Sequence, residues 1–405
     1  MKILFCNYEY PPLGGGGGVI NSLLAQELAK QHEITVLTSQ GSDTPPEIFE
    51  NGVRVIRVPV LGRRDKTTAS MLSMFSYIPL AVAAGKKLLM KDRFDVINTH
   101  FVLPTGPVGD ALSSFAGIPN VLSLHGGDLY DPSKITSPHR HAVLRNWIRW
   151  LLFRADLVVG QSRNTLLNLG IFYAPEIDAI KIPLGIQKGN QIEKAKRQDF
   201  GCKADDIVLV TASRLVRRKA IHQLLLMMSI LKNYKVKLIV IGDGPEAGNL
   251  KAETKRRGLE NKVHFTGFIS DEQKNQILNM ADIYVSTTQH EGFCLSFLEA
   301  MMSGLPIVTY DNGGHTDYLK DKVNGFLVPL NDLDLFIDRC KTLVRDASLR
   351  ARILENNRKL VQDYYIETCA QRYEEVFSAA LCTKTSKSIV NPGALSVRPA
   401  TKQTR

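Results

Sequence analysis

Short β-branched runs recur along the chain, each separated from the next by a stretch with helical spacing. In the first half, Lys2 to Cys6, Ile34 to Thr38, Val53 to Val58, Asp95 to Asn98, Val121 to Leu124 and Asp156 to Val159 predict strands. Between them, Asn21 to Lys30, Met71 to Met90 and Thr105 to Phe115 are long enough to be the helical crossovers that parallel strands require. After Pro183-Leu184-Gly185-Ile186 a polar stretch runs to about Asp205, and the rhythm restarts at Ile207 to Thr211. Further strands are predicted at Val236 to Ile241, Val263 to Thr266, Ile283 to Val285, Ile307 to Thr309 and Gly325 to Val328. The pattern is that of an α/β chain with two Rossmann-like, doubly wound parallel-sheet domains, residues 1–186 and 187–366. A helix near 367–382 is expected to pack back on the first domain, and 384–405 to form a disordered basic tail. Open parallel sheets bind ligands beyond the carboxyl ends of their strands, so two such domains place the chemistry in the cleft between them.

Composition narrows this picture. A chain of 405 residues exceeds what one core usually serves, which agrees with two domains. The six cysteines include no C-x-x-C pair, which argues against a disulfide framework and a cysteine zinc site and for a reducing, cytoplasmic setting. The N-terminal apolar run is broken by Asn7 and Glu9, too short for a signal-peptide core, and no stretch reaches the roughly 20 apolar residues of a membrane span. Any membrane contact is therefore expected to be peripheral, at the inner face. The net charge is +11, but residues 384–405 hold five Lys/Arg and no acid, so the basic balance is weak support for a nucleic-acid partner.

Three motifs carry candidate chemistry. Pro11-Pro12-Leu13 and the glycines Gly14 to Gly18 stand between the first strand and a helix expected near Asn21. Such a loop lets backbone N–H groups approach a phosphate or sugar, although the spacing is not G-x-G-x-x-G and a nicotinamide site is not indicated. The run Ser213-Arg214-Leu215-Val216-Arg217-Arg218-Lys219 follows a strand at its carboxyl end. Arg214 and Lys219 are the candidates to stabilise charge on a departing diphosphate, with Arg217 and Arg218 expected to face water. The third is Glu291-Gly292-Phe293-Cys294-Leu295-Ser296-Phe297-Leu298-Glu299, where a loop acid and a helix acid flank a helix start that would face a pyrophosphate.

These residues resemble the family-4 retaining glycosyltransferases of the GT-B fold, over nearly the whole chain. The family pattern E-x-F-G-x-x-x-x-E is matched by Glu291, Phe293 and Glu299, with Cys294 where Gly is usual, and Ala220 replaces a Gly common after the lysine. The resemblance implies that Glu291 contacts a donor hexose, that Glu299 holds ribose hydroxyls, and that Arg214 and Lys219 bind the diphosphate. It implies as well that Gly16 and Gly17, with Phe293, Cys294 and Leu295, line the donor pocket, and that His125 in Leu124-His125-Gly126-Gly127-Asp128 approaches the sugar. Asp317 stands where relatives often carry Glu, in a loop expected to lie against the donor, whereas Asn324 to Pro329 is read as a structural turn and strand.

The expected activity is retaining hexosyl transfer from a nucleoside-diphosphate sugar to a glycan, lipid-linked or small-molecule acceptor. No metal or other cofactor is expected, since fixed cations replace a divalent ion, and Cys294 is not expected to be a nucleophile. A nucleotide-sugar epimerase or phosphorylase on the same scaffold and a non-catalytic nucleotide-sugar-binding regulatory protein are the alternatives. Residues 134–154 carry Lys134, Arg140, Arg145, Arg149 and Arg154, no acid, and Trp147, Trp150 and Phe153. This segment reads equally as a peripheral membrane contact and as a core-packed helix with solvated arginines.

Overall fold

The computed structural model describes residues 1–63, 69–189 and 193–389. The first half runs β1 (Lys2–Asn7), α1 (Gly16–Leu28), β2 (Glu33–Ser39), β3 (Glu47–Glu50), β4 (Val53–Val58), α2 (Met71–Lys91), β5 (Val96–His100), α3 (Gly106–Ala116), β6 (Asn120–Leu124), α4 (Ala142–Arg154), β7 (Leu157–Gly160), α5 (Arg163–Phe172) and β8 (Ile180–Lys181). Its eight strands form one sheet in the order β3-β4-β2-β1-β5-β6-β7-β8, parallel except for β3. The second half runs β9 (Ile207–Ala212), α6 (Ile221–Ile230), β10 (Val236–Ile241), α7 (Ala247–Arg256), β11 (Val263–Gly267), α8 (Asp271–Met280), β12 (Ile283–Ser286), α9 (Leu295–Met302), β13 (Ile307–Tyr310), β14 (Gly325–Val328), α10 (Leu333–Arg345), α11 (Ala347–Leu360) and α12 (Ile366–Ile389). Its six strands are parallel in the order β11-β10-β9-β12-β13-β14.

Because side chains alternate along a strand, each central strand feeds two cores. Ile3 and Phe5 of β1 pack with Ile20 and Leu24 of α1 and with α12, whereas Leu4 and Cys6 pack with Tyr77 and Leu112 of α2 and α3. In the second sheet, Val208 and Val210 join α8 and α9, and Leu209 joins α6 and α10. Two strands are absent from the sequence reading: the edge strand β3, half solvated, and the two-residue β8.

The chain crosses between domains twice, and the crossings are paired. Ile186 N donates to Tyr364 O at 2.9 Å and Ile366 N donates to Ile186 O at 2.9 Å. Here Gly185 is required for close approach, since a Cβ on it would stand 2.6 Å from the Ile366 Cα. From that junction α12 returns to the first domain and packs on α1, β5 and β6. It continues through Ile389, into the segment expected to be tail, while 390–405 lie outside the described residues. Among the described residues no helix is long and apolar enough to cross a membrane.

Gly242, at the end of β10, holds the adjacent loop after β9 in place. Its φ is +123°, and a Cβ there would fall 2.0 Å from Ser213 O, beside Arg214. Replacing Gly242 with Ala should therefore lower unfolding free energy by about 2 kcal/mol or more in urea titration. A loss under about 0.5 kcal/mol would show that the backbone is not confined here.

Candidate active site in the interdomain cleft

The loops at the carboxyl ends of β6 and β7 meet those after β12 and β13. Gly126, after β6, lies so close to Gly292, after β12, that a Cβ on it would stand 3.0 Å from the Gly292 Cα. The Ser162 hydroxyl, which also caps α5, donates to Gly292 O across the cleft at 2.8 Å, and Tyr130 meets His290 edge to face at 5.2 Å. These contacts bring the residues beside the glycines, His125 and Glu291, to the same part of the cleft.

Glu291 is 6% exposed. It accepts from Lys219 Nζ, from Arg218 Nη1 at 3.1 Å and from Thr288 Oγ1 at 2.7 Å. Burial alone would raise its pKa, but the Lys219 and Arg218 charges override this and hold the carboxyl well below the usual carboxylate range. Arg218 is therefore no solvated cation. It also donates to His290 O at 2.7 Å, and the Glu291 charge raises its own pKa further. Of the basic run, Arg217 and Arg214 are exposed, the latter at the carboxyl end of β9. The three-residue 3-10 turn Arg217–Lys219 turns the second and third cations inward.

The rest of the third motif divides between site and core. Phe293 is 2% exposed, with its ring against Tyr318 and Tyr364, so a donor could meet only its backbone. Cys294 adopts φ 75° as the N-cap of α9, which has no side-chain cap and no acid in its first turn; Leu295 begins that helix. Those N–H groups and the helix dipole favour an anion. The Cys294 thiol is pushed up to about 11, by burial foremost and then by the Glu291 charge, so it is not a thiolate nucleophile at neutral pH. Glu299 accepts from Lys274 Nζ of α8 at 2.8 Å. Asp317 is engaged by the first domain. Its carboxylate accepts from Arg163 N, the first residue of α5, at 2.9 Å and from Lys181 Nζ at 3.3 Å, joining the two domains.

On the first domain, α1 starts within the glycine run at Gly16, not near Asn21. Around Gly15 and Gly16 a Cβ would meet open space, while one on Gly17 would stand 2.4 Å from Phe101 Cζ. The Phe101 ring in turn stacks on His125 at 4.2 Å. His125 Nε2 is 3.1 Å from His100 Nδ1, and burial lowers the His125 pKa to about 3, so the imidazole is neutral at physiological pH. Asp128 accepts from His125 N at 3.0 Å and from Val102 N at 2.9 Å, tying the two loops together. Phe101 and His100 escaped the sequence reading. The polar residues that end the buried strand Val96-Ile97-Asn98-Thr99-His100 were the available signal.

Away from the cleft, the cations of 134–154 have protein partners: Lys134 with Asp131, Arg140 with Pro132 O, Arg145 with His139 O, Arg149 with Glu176 and Arg154 with Asp110. Ile148, Leu151 and Leu152 of α4 are core, and Val143, Trp150 and Phe153 face outward. Among the described residues no group of three or more His, Cys, Asp or Glu side chains is placed to hold a metal ion.

Comparison with known proteins agrees with this geometry. The model of the glycosyl transferases group 1 matches residues 192–360, and that of the glycosyl transferase 4-like domain matches residues 15–184. An uncharacterised glycosyltransferase of Methanocaldococcus jannaschii is 28% identical over 380 residues, 90% of this chain and 94% of that protein. The UDP-Gal:alpha-D-GlcNAc-diphosphoundecaprenol alpha-1,3-galactosyltransferase of Escherichia coli is 24% identical over 396 residues, 93% of this chain and 97% of that protein. Among solved structures, sucrose-phosphate synthase from Thermosynechococcus elongatus superposes with a TM-score of 0.81 at 22% identity, covering 94% of this chain and 100% of that one. The fold is GT-B, two parallel-sheet α/β domains facing a cleft.

The buried histidines make stability depend on pH. Burial lowers the pKa of His100 well below 6.5 and that of His125 to about 3. Below the unfolded value of about 6.5 the unfolded chain binds protons that the native one does not, so stability falls as pH falls, by up to about 1.4 kcal/mol per unit for each group. Above that value neither contributes a slope. Urea midpoints between pH 7 and 5 should decline less steeply for His125→Gln than for the wild type; identical slopes would contradict the neutral, buried state of His125.

Proposed function

Because the chain belongs to the glycosyl transferases group 1 family, with a glycosyl transferase 4-like N-terminal half, we propose that it transfers a hexosyl unit from a nucleoside-diphosphate sugar with retention at the anomeric carbon and without a metal. The observation that carries this reading is the buried Glu291 carboxylate, kept ionised by Lys219 and Arg218 beside the uncapped start of α9. A carboxylate so placed can orient sugar hydroxyls and face the positive charge that develops as the glycosidic bond lengthens. Lys219, Arg218, Arg214 and the α9 N-terminus supply positive potential for the departing diphosphate, the part a divalent ion would otherwise take. Glu299, in the second turn of α9, is the group for ribose hydroxyls, and Gly16 at the start of α1 leaves room for the donor while Gly17 seats Phe101 beside it. With a single carboxylate proposed at the sugar, attack by the acceptor on the face the diphosphate leaves is favoured over a covalent intermediate.

A uridine nucleotide is the first donor to test, since the E. coli relative is named for UDP-Gal and a diphosphoundecaprenol-linked acceptor. Thermal shift across nucleotide sugars identifies the donor, because a ligand of the native state raises its melting temperature. With donor and acceptor in hand, the product should keep the donor's anomeric configuration by NMR, and EDTA should leave the rate unchanged. Glu291→Gln should lower kcat roughly 100- to 1,000-fold while nucleoside-diphosphate binding persists, and Lys219→Ala should weaken that binding. Inverted product, or turnover unaffected by Glu291→Gln, would overturn the assignment. Donor epimerised in the absence of acceptor would favour the epimerase reading.

A lipid-linked acceptor would bring the first domain to a membrane surface. The outward face of α4 offers Val143, Trp150 and Phe153, with its arginines held by protein partners. Cosedimentation with anionic vesicles should accordingly depend on Trp150 and Phe153 more than on Arg145, which donates to His139 O. Wild-type protein that stays in the supernatant would remove the membrane from this reading.

A further inference from the structure

Three polar side chains interrupt the apolar face of the first sheet beneath α12. Asn98 and His100 share a face of β5 with Val96, and Ser123 lies on the same face of the neighbouring β6. With Tyr373 of α12 they form one connected chain. Tyr373 Oη is 3.1 Å from Ser123 Oγ, and Ser123 Oγ is 3.1 Å from Asn98 Oδ1. Asn98 Nδ2 is 2.9 Å from His100 Nε2, and His100 Nδ1 is 3.1 Å from His125 Nε2. The first four members are at most 2% exposed. Phe5 stacks on His100 at 5.2 Å and Phe101 on His125 at 4.2 Å, which holds both rings against rotation.

Such a chain can run in two directions, one for each orientation of the Asn98 amide, because its Oδ1 only accepts and its NH2 only donates, whereas the hydroxyls and imidazoles can do either. Tyr373 decides between them. A phenol has one O–H, and the partner for the Tyr373 hydroxyl among the described residues is Ser123 Oγ. Running the chain the other way would turn that hydrogen toward no acceptor and leave a buried donor unmet. With Tyr373 donating to Ser123, the Ser123 hydrogen goes to Asn98 Oδ1, and the Asn98 amide presents N–H to His100 Nε2. His100 then carries its proton on Nδ1 and donates it to His125 Nε2. The proton of the neutral His125 must therefore reside on Nδ1, the ring nitrogen that faces no protein partner among the described residues.

We infer that Tyr373, Ser123, Asn98 and His100 are positioning residues that fix His125 as an Nδ1–H hydrogen-bond donor to an oxygen of the bound sugar. The inference rests on the reading of His125 as a group that meets the donor substrate, and it deepens that reading. An N–H donor offers no lone pair to the acceptor hydroxyl, so His125 is not the base of the reaction; it orients a sugar oxygen. It also ties the site to α12, since the residue that sets the direction comes from the helix that returns after the second crossing.

The test uses the full chain labelled with 15N-histidine, and two variants. In Asn98→Asp a carboxylate accepts only, so His100 must place its proton on Nε2, reversing the chain and moving the His125 proton to Nε2. In Tyr373→Phe, a mild change that secures the test should Asn98→Asp fail to fold, nothing sets the direction and both tautomers are populated. Two-bond 15N–1H spectra without substrate, with the His125 signals identified by their loss in His125→Gln, should show Nδ1–H in the wild type, Nε2–H in Asn98→Asp and a mixture in Tyr373→Phe. Asn98→Asp should lose roughly ten- to a hundredfold in kcat, with the donor KM changed less than about twofold, and Tyr373→Phe should lose less. Nε2–H in the wild type, or a His125 tautomer indifferent to both variants, would overturn the inference whatever the rates do. Should the tautomers behave as expected while His125→Gln turns over normally, the chain stands as structure and the contact between His125 and sugar is refuted.

Discussion

Everything in the cleft depends on burying one carboxylate. Glu291 is removed from water between two domains, a state that is strongly unfavourable for an isolated charge. It is stable because Lys219 and Arg218 approach it from the loop after β9 and Thr288 completes its shell. The same arrangement sets the electrostatics seen by a substrate: two cations against one anion, a net positive charge, with the open end of α9 adjacent. Under the proposed function, a diphosphate entering there would compete with Glu291 for Lys219 and Arg218. Under that reading the carboxylate would be freest to turn toward a sugar with the nucleotide bound, which would couple donor binding to the orientation of Glu291.

That geometry requires the carboxyl ends of the two sheets to be held facing each other. The paired crossings at Ile186 and Tyr364–Ile366 leave little slack, and α12 fastens the second crossing to the first domain through α1. Across the cleft the links are few and polar: Ser162 to Gly292 O, and Asp317 to the start of α5 and Lys181. Contacts of this kind can break and re-form without exposing a core, as a cleft that must admit and release a nucleotide demands.

Much of this was legible in the residues. Continuous apolar runs with helical spacers gave both sheets, and the Glu291 motif gave the centre of the site. What escaped has physical reasons. β3 pairs antiparallel at a solvated edge, where burial imposes no pattern, and β8 is too short to have one. Gly16 to Gly18 read as loop by propensity, yet the helix begins there because only glycine lets α1 approach the Phe101 ring. Arg218 could not be told from Arg217, since a 3-10 turn changes direction at every residue. Phe293 matched a pattern by identity, but its ring belongs to the core with Tyr318 and Tyr364. The contacts of Asp317 with Arg163 N and Lys181 were not legible, because a contact across domains leaves no local trace.

Two of the three departures from the family pattern, Ala220 and Cys294, share one backbone property. Ala220 has φ 48° and Cys294 has φ 75°, both in the left-handed region where glycine is unstrained and other residues are disfavoured by about 1–2 kcal/mol. Each is restrained by a buried hydroxyl. Thr287 Oγ1 donates to Ala220 O at 2.9 Å, and Tyr318 Oη donates to Cys294 O at 2.6 Å. Ala220 directly follows Lys219, and Cys294 directly precedes α9, so the strained positions are those that aim a cation and a helix start at the cleft. Strain held by neighbouring bonds in this way fixes direction more tightly than glycine would, because the side chain removes alternatives that glycine leaves open. The substitutions therefore keep the charged groups where the family pattern puts them while narrowing the freedom of the backbone that carries them, and any difference in donor preference they bring should come through rigidity and not through altered charge.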